Sequence, residues 1–378
     1  MKKFSFLLAT CLIVFTAFSQ KNKDEHFLIV GTYTTGKSKG VYVYKFNSVT
    51  GDFSPVSTAE NVSNPSYLTV SPDEKYVYVV NEDHAKDKFG GMVTAFSFDK
   101  NKGSLTKLNQ QPSQGNDPCY ITEDKNGKWV IIANYTSGTA SVLPVRKDGS
   151  LDTAVTFVQH EGSGVNAERQ EGPHAHSAVL SKDNEYVFVS DLGMDKIMIY
   201  TFNNKNGKLT PAATPYVETE PGTGPRHFEF HPNNKYAYLM EEMSGSISAY
   251  VYKGNGRLDL IQNISALPPD FTGEVGSADI HVSPDGKFLY ASNRGASNTI
   301  GIFKVNQQTG ELTLVGHQST LGKTPRNFNF DPSGDFLLVA NQNSDNIIIF
   351  KRDKQTGLLT ATGKRIDVGN PVCIKWVR

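Results

Sequence analysis

Between Gly224 and Tyr252 the chain carries Arg226, His227 and Glu242 among alternating apolar residues. The same local pattern elsewhere carries His174, His176, Arg294 and Arg326. A pair of guanidinium groups can hold a carboxylate or phosphate through charge-assisted hydrogen bonds, and can stabilise an oxyanion as it develops. A histidine or glutamate beside them can exchange a proton with water or with a substrate carbon, provided the site adjusts its pKa. No Gly-x-Ser-x-Gly elbow leads into a helix, which disfavours a serine nucleophile. No Cys/His spacing resembles a zinc site, so no metal and no cofactor is expected. Water activated by a side chain is the simplest hydrolytic route, and it suits an already reactive ester better than an amide.

These residues belong to a unit that repeats at a spacing of about 46 to 57 residues. A strand, a turn and a second strand recur from Asn64, Asp117, His174, Gly224, Gly276 and Thr324. An alternating third strand follows, as in Val93–Phe98, Ile197–Phe202 and Ile347–Phe350. A Gly-containing turn then leads to a short fourth strand opening on Leu-Thr or Leu-Asp. A further unit is split between the ends of the chain. Phe27–Tyr33, Val41–Phe46 and Phe53–Ser57 supply three of its strands, and Asn370–Val377 supplies its first. Pairing the termini closes a ring without exposed sheet edges. The expected fold is all-β, a seven-bladed β-propeller of four-stranded antiparallel blades.

The repeat register gathers the reactive groups. The start of a first strand and the end of its antiparallel second strand lie at the same end of a blade, and first strands line the channel. The residue after the repeat proline, or its equivalent, runs Ser66, Cys119, His176, Arg226, Ala278, Arg326, Val372. The residue closing the second strand runs Glu82, Tyr135, Leu192, Glu242, Arg294, Gln342. Blades four to seven therefore send His176, Arg226, Glu242, Arg294 and Arg326 to one mouth, with His174 and His227 beside them. His176, Arg226, Glu242 and Arg294 are the candidate catalytic residues; His174, His227 and Arg326 are candidates for substrate binding. The plainer alternative is a set of solvated or mutually paired channel charges. Glu82 and Glu241 are expected to be exposed or structural. His231, at a turn at the opposite end of the blade from Arg226, is expected to be structural.

The 38 basic and 38 acidic side chains balance, so charge gives no reason to expect nucleic acid or an anionic membrane as partner. Lys2, Lys3, the apolar run Phe4–Phe18 and the segment Ala17-Phe18-Ser19 read as a secretory signal peptide over residues 1–19. The expected product is exported, periplasmic or extracellular, with residues 20–378 forming one domain and no membrane attachment after cleavage. Its oligomeric state is open. Cys119 and Cys373 fall on first strands of non-neighbouring repeats, so no bridge between them is expected.

Several segments, one per blade and in order, resemble the lactonase family of seven-bladed propellers. They are Gln170-Glu171-Gly172-Pro173-His174-Ala175-His176-Ser177, Gly224-Pro225-Arg226-His227, the strand end at Glu242, Ser292-Asn293-Arg294-Gly295, and Thr324-Pro325-Arg326 with Ala340-Asn341-Gln342. The family includes propeller-type 6-phosphogluconolactonases and is related to carboxymuconate lactonising enzyme. The resemblance runs from Ile29–Thr34 to the closing strand; Ala175 stands where the family often has proline. It implies hydrolysis of a small-molecule lactone, nominally 6-phosphogluconolactone, in a cleft formed by His176, Arg226, Glu242 and Arg294. An exported enzyme would meet unphosphorylated lactones instead. Arg226 and Arg294 would hold the substrate anion and the lactone carbonyl, with Glu242, His176 or His227 as the base. Two other readings stay open: muconate-type cycloisomerisation, and a non-catalytic propeller that binds a glycan, peptide or protein at its mouth.

Overall fold

The computed structural model describes residues 24–85 and 90–378; the leader expected at residues 1–19 lies outside them. Seven four-stranded antiparallel sheets follow one another around a central channel. The innermost strand of blade 1 is the C-terminal Pro371–Val377, which pairs with Glu25–Thr32 so that Phe27 faces Val377 and Gly31 faces Cys373. The ring is closed as the split repeat predicts. Inner strands of blades 2 to 7 begin at Tyr67, Pro118, Ala175, Pro225, Ser277 and Pro325, and each packs on its neighbours around the channel. Among the described residues the helical pieces are two single 3-10 turns, Leu192–Met194 and Gln342–Ser344.

Strand alternation buries both faces of each blade. Tyr78 and Val80 on one face and Val77 and Val79 on the other are all sealed from solvent. The apolar core is consequently divided into layers between adjacent blades. Between blades 4 and 5, Phe188 stacks on Phe228 at 5.4 Å and meets Phe230 edge-on at 5.3 Å. Truncating such a ring to alanine would cost about 3–5 kcal/mol. With stability lodged between blades, the channel itself is free to carry polar groups.

The entry to each inner strand aims the channel residues. The residue before the repeat proline is left-handed in five blades: Asn64, Asp117, Gly224, Thr324 and Asn370 have φ of 35°, 53°, 69°, 59° and 42°. Asn, Asp and Gly tolerate that region; β-branched Thr324 is the strained member. Directly after it, the pairing register slips by one residue in six of the seven blades. The slip is a β-bulge, which bends the strand and re-aims its side chains. It falls at Cys119, His176, the pair Arg226–His227, the pair Ala278–Asp279, Arg326 and Val372.

Candidate active site

One repeated main-chain bond sets the rim. The N–H groups of Glu82, Tyr135, Leu192, Glu242, Arg294 and Gln342 donate to the carbonyls of Asn64, Asp117, His174, Gly224, Gly276 and Thr324, all at 2.8–3.1 Å. The strand-end series is thus a physical ring around one mouth. On the wall formed by blades 4 to 6, Glu242 is the hub. Its Oε2 accepts from Arg226 Nε at 2.8 Å and lies 3.0 Å from Arg294 Nη2 and 3.9 Å from His176 Nε2. Its Oε1 accepts from Arg169 Nη2 at 2.7 Å. Burial alone would raise the Glu242 carboxyl; Arg294 and Arg226, with His176 and Arg169, hold it well below the usual carboxylate range. A carboxylate this saturated with cations is a poor proton acceptor.

The three arginines differ in what they have left to offer. Arg226 is 1 % exposed and spends Nη1 on the carbonyl of Ala278 at 2.6 Å. Arg294 donates Nε to the carbonyl of Gly276 at 2.8 Å and keeps 15 % of its side chain open. Arg169, on the loop after blade 3, is 45 % exposed. The edges available to a ligand therefore belong to Arg294 and Arg169, while Arg226 is sealed beneath them.

Two imidazoles complete this side. His176 lies edge-on to Tyr135 at 5.4 Å and to His227 at 5.5 Å, with Nδ1 3.7 Å from Cys119 Sγ. Burial, then the Arg226 charge, holds its pKa well below the usual histidine value. His227 sits one step deeper, edge-on to Tyr67 and Tyr120 from across the channel. Its Nδ1 lies 2.6 Å from Asp279 Oδ1, and burial followed by Arg226 brings its pKa down to about 4. Both rings are neutral at pH 7. His174 stands apart from the hub: it stacks on Tyr135 at 4.6 Å, with Nε2 3.3 Å from Glu171.

Blades 1, 2 and 7 build the facing wall. Glu82 Oε1 accepts from Tyr33 Oη at 2.7 Å and lies 3.7 Å from Arg326 Nη2, whose guanidinium rests over the Tyr33 ring. Glu82 Oε2 is buried, and burial, opposed by Arg326, raises the Glu82 pKa. Glu82 is enclosed rather than exposed. Glu241 is structural: it is sealed within blade 5 and accepts from Ser246, Ser248 and Asn263. His231 ties the far end of blade 5 to blade 6 through the Gly286 carbonyl at 2.8 Å. Cys119 and Cys373 are free and buried. Among the described residues no group of three or more His, Cys, Asp or Glu is disposed to hold a metal ion. A cleft of about 510 Å³ between blades 2 and 3, lined by Tyr76, Glu123, Trp129 and Arg146, lies at the opposite end of those strands and holds none of the mouth residues.

The structure brings His176, Arg226, Glu242 and Arg294 together around one carboxylate. Register reasoning missed Arg169, which lies on a loop outside the repeat. Of the residues one further along each inner strand it singled out His227 but missed Tyr67, Tyr120, Asp279 and Asn327. That series had a signal, since Asp279 is a carboxylate between the apolar Ala278 and Ile280 of an inner strand.

Fold and site define a closed seven-bladed ring with one mouth rich in arginine and neutral imidazole. The family model described as "Lactonase, 7-bladed beta-propeller" matches residues 27–376. The chain belongs to this lactonase family. It is 41 % identical over 349 residues to a 6-phosphogluconolactonase of Bacillus subtilis, covering 92 % of this chain and 97 % of that one. It is 42 % identical over 337 residues to a 6-phosphogluconolactonase of Formosa agariphila, covering 88 % and 94 %. The solved structure of the periplasmic gluconolactonase PpgL of Pseudomonas aeruginosa superposes with a TM-score of 0.89 at 38 % identity, over 94 % of this chain and 99 % of that one.

Proposed function

We propose that the protein hydrolyses a sugar lactone to its hydroxy acid by direct attack of water, at the arginine-rich mouth. The carrying observation is the Glu242 hub, which holds three guanidinium groups in fixed positions beside two neutral imidazoles. Donors held in place before reaction stabilise the oxyanion at no cost in reorganisation. In this reading Arg294 and Arg169 face the lactone carbonyl oxygen and any anionic substituent, and a neutral imidazole takes the proton of the attacking water. Arg226 is a positioning residue: it holds Glu242, which holds the other two arginines. Glu242 is likewise an organiser. His174 and Arg326 border the substrate from either side of the mouth.

The names of the relatives support a gluconolactone-type substrate, phosphorylated or not. The basic, apolar leader and the periplasmic neighbour support export, where unphosphorylated lactones are the available form. Acid release from δ-gluconolactone and from its 6-phosphate, corrected for spontaneous hydrolysis, tests the reading. Wild-type turnover of one or both is expected, with Arg294→Ala slower by about 10²-fold, the usual loss for one oxyanion donor. Silence of the wild type on both lactones would overturn a gluconolactone-type substrate and leave another lactone, cycloisomerisation or ligand binding.

A further inference from the structure

We infer that His227, oriented by Asp279, is the group that draws the proton from the attacking water through its Nε2. This rests on the hydrolytic reading and assigns its base. A base needs a free lone pair, a fixed tautomer and a partner that stabilises the cation it becomes. Glu242 is a weak acceptor, because three arginine donors already engage its two oxygens and hold the carboxyl well below its usual range. His176 has only the Cys119 thiol, at 3.7 Å, beside its Nδ1 and no carboxylate there to fix its tautomer among the described residues, and Glu242 lies 3.9 Å from its Nε2. His227 meets all three.

The geometry is explicit. Asp279 accepts at Oδ1 from His227 Nδ1 at 2.6 Å and from its neighbour's N–H, that of Ile280, at 3.0 Å. Its Oδ2 accepts from Asn327 Nδ2 at 2.5 Å and from the Phe328 N–H at 3.2 Å. A carboxylate accepts only, so Nδ1 carries the proton and Nε2 presents its lone pair. That Nε2 has no hydrogen bond to the described residues, and the side chain keeps 7 % of its surface open. His281 stands behind Asp279, with Nε2 3.2 Å from Asp279 Oδ2 and Nδ1 2.6 Å from Glu229 Oε2. Burial would lower the His281 pKa, but Asp279 and Glu229 raise it to about 10; His281, with His227, in turn keeps Asp279 ionised.

The step balances. A proton passes from water to His227 Nε2 while the water oxygen bonds to the lactone carbonyl carbon, whose oxygen becomes the oxyanion beside the arginines. Collapse breaks the ring C–O bond, and the His227 imidazolium returns its proton to the departing ring oxygen. The charged groups facing His227 are Arg226 beside it and Asp279 and His281 from blade 6; the titratable rings of His176, Tyr67 and Tyr120 face it from blades 4, 2 and 3.

The test compares wild type, His227→Gln, His227→Ala and Glu242→Gln for kcat and KM across pH on the lactone that the wild type turns over. Loss of a general base costs about 10²- to 10⁴-fold. His227→Gln is expected to lose that factor in kcat with little change in KM and an intact thermal transition. Added imidazole should restore part of the activity of His227→Ala. Asp279→Asn, if folded, should lower kcat and move the acid limb of the pH profile to lower pH, because Asp279 raises the His227 pKa. Wild-type kcat in a folded His227→Gln would overturn the assignment while leaving hydrolysis standing. Absence of wild-type turnover on any lactone would overturn both.

Discussion

Glu82 and Glu242 occupy the same repeat position, on facing walls of one mouth, yet their environments oppose each other. Both close a second strand, and both are fixed by the same main-chain bond to the entry of the inner strand. Glu242 meets three arginines and is held well below the usual carboxylate range. Glu82 meets a tyrosine hydroxyl and one arginine at 3.7 Å, and is raised by burial. Backbone register delivers a carboxylate to the mouth; the cations that neighbouring blades place around it decide whether burial is offset. Breaking the comparison means removing charge from each wall in turn.

The largest effect is expected from Glu242→Gln. Removing one partner from a buried ion cluster typically costs about 3–5 kcal/mol, because the remaining charges are left uncompensated. Three arginines would then repel one another around a neutral hub, so turnover should also fall through KM as well as kcat. Urea unfolding at pH 7 measures the first and steady-state kinetics the second. A variant as stable as wild type would show that the arginines find other partners and that Glu242 is no hub.

How much of this was legible beforehand follows from where each residue sits. The ring was readable because each blade repeats the same strand-turn-strand pattern, and because the N-terminal three strands lack the inner strand that Pro371–Val377 supplies by pairing with Glu25–Thr32. His176, Arg226, Glu242, Arg294 and Arg326 were readable because register places strand ends without knowledge of side chains. Arg169 was not, since the 160–174 loop follows no repeat and only tertiary contact shows that it returns to Glu242. Asp279 was hidden by the bulge: strict period-two alternation assigns consecutive residues to opposite faces, and the slipped register at Ala278–Asp279 breaks that rule. The roles of Glu242 and Arg226 were also beyond the sequence, because both depend on which polar atoms are already engaged.

A smaller effect is expected from Arg169→Ala, which removes one of the three cations but leaves the sealed pair. Arg169 is nearly half exposed, so global stability at pH 7 should change little. KM should rise about tenfold, the low end for a hydrogen bond to a charged group. The variant also sharpens the comparison through pH. A depressed carboxylate contributes stability above its unfolded pKa and loses it as pH falls through its folded pKa. With Arg169 gone Glu242 is less depressed, so acid destabilisation should begin at higher pH than in wild type. Coincident acid-unfolding curves would mean that Arg169 does not contribute to holding Glu242 ionised.

The smallest effect is expected from Glu82→Gln, and its sign is opposite. A carboxyl whose folded pKa is raised binds its proton more tightly in the native state than in the unfolded chain. Wild type therefore loses stability as pH rises from the usual carboxylate range through the raised folded value, and the glutamine variant lacks that loss. The variant keeps an acceptor for Tyr33, so at pH 7 its stability should lie within about 1 kcal/mol of wild type, the net worth of one hydrogen bond. Its stability relative to wild type should improve as pH rises across that window, measured by urea unfolding at closely spaced pH values. For Glu242→Gln the same experiment should show the variant falling further behind wild type as pH rises through the lower window of a depressed carboxyl. If the two glutamine variants instead shared one pH dependence, repeat position alone would set the chemistry of these carboxylates and the arginines of blades 4 to 6 would be incidental to it.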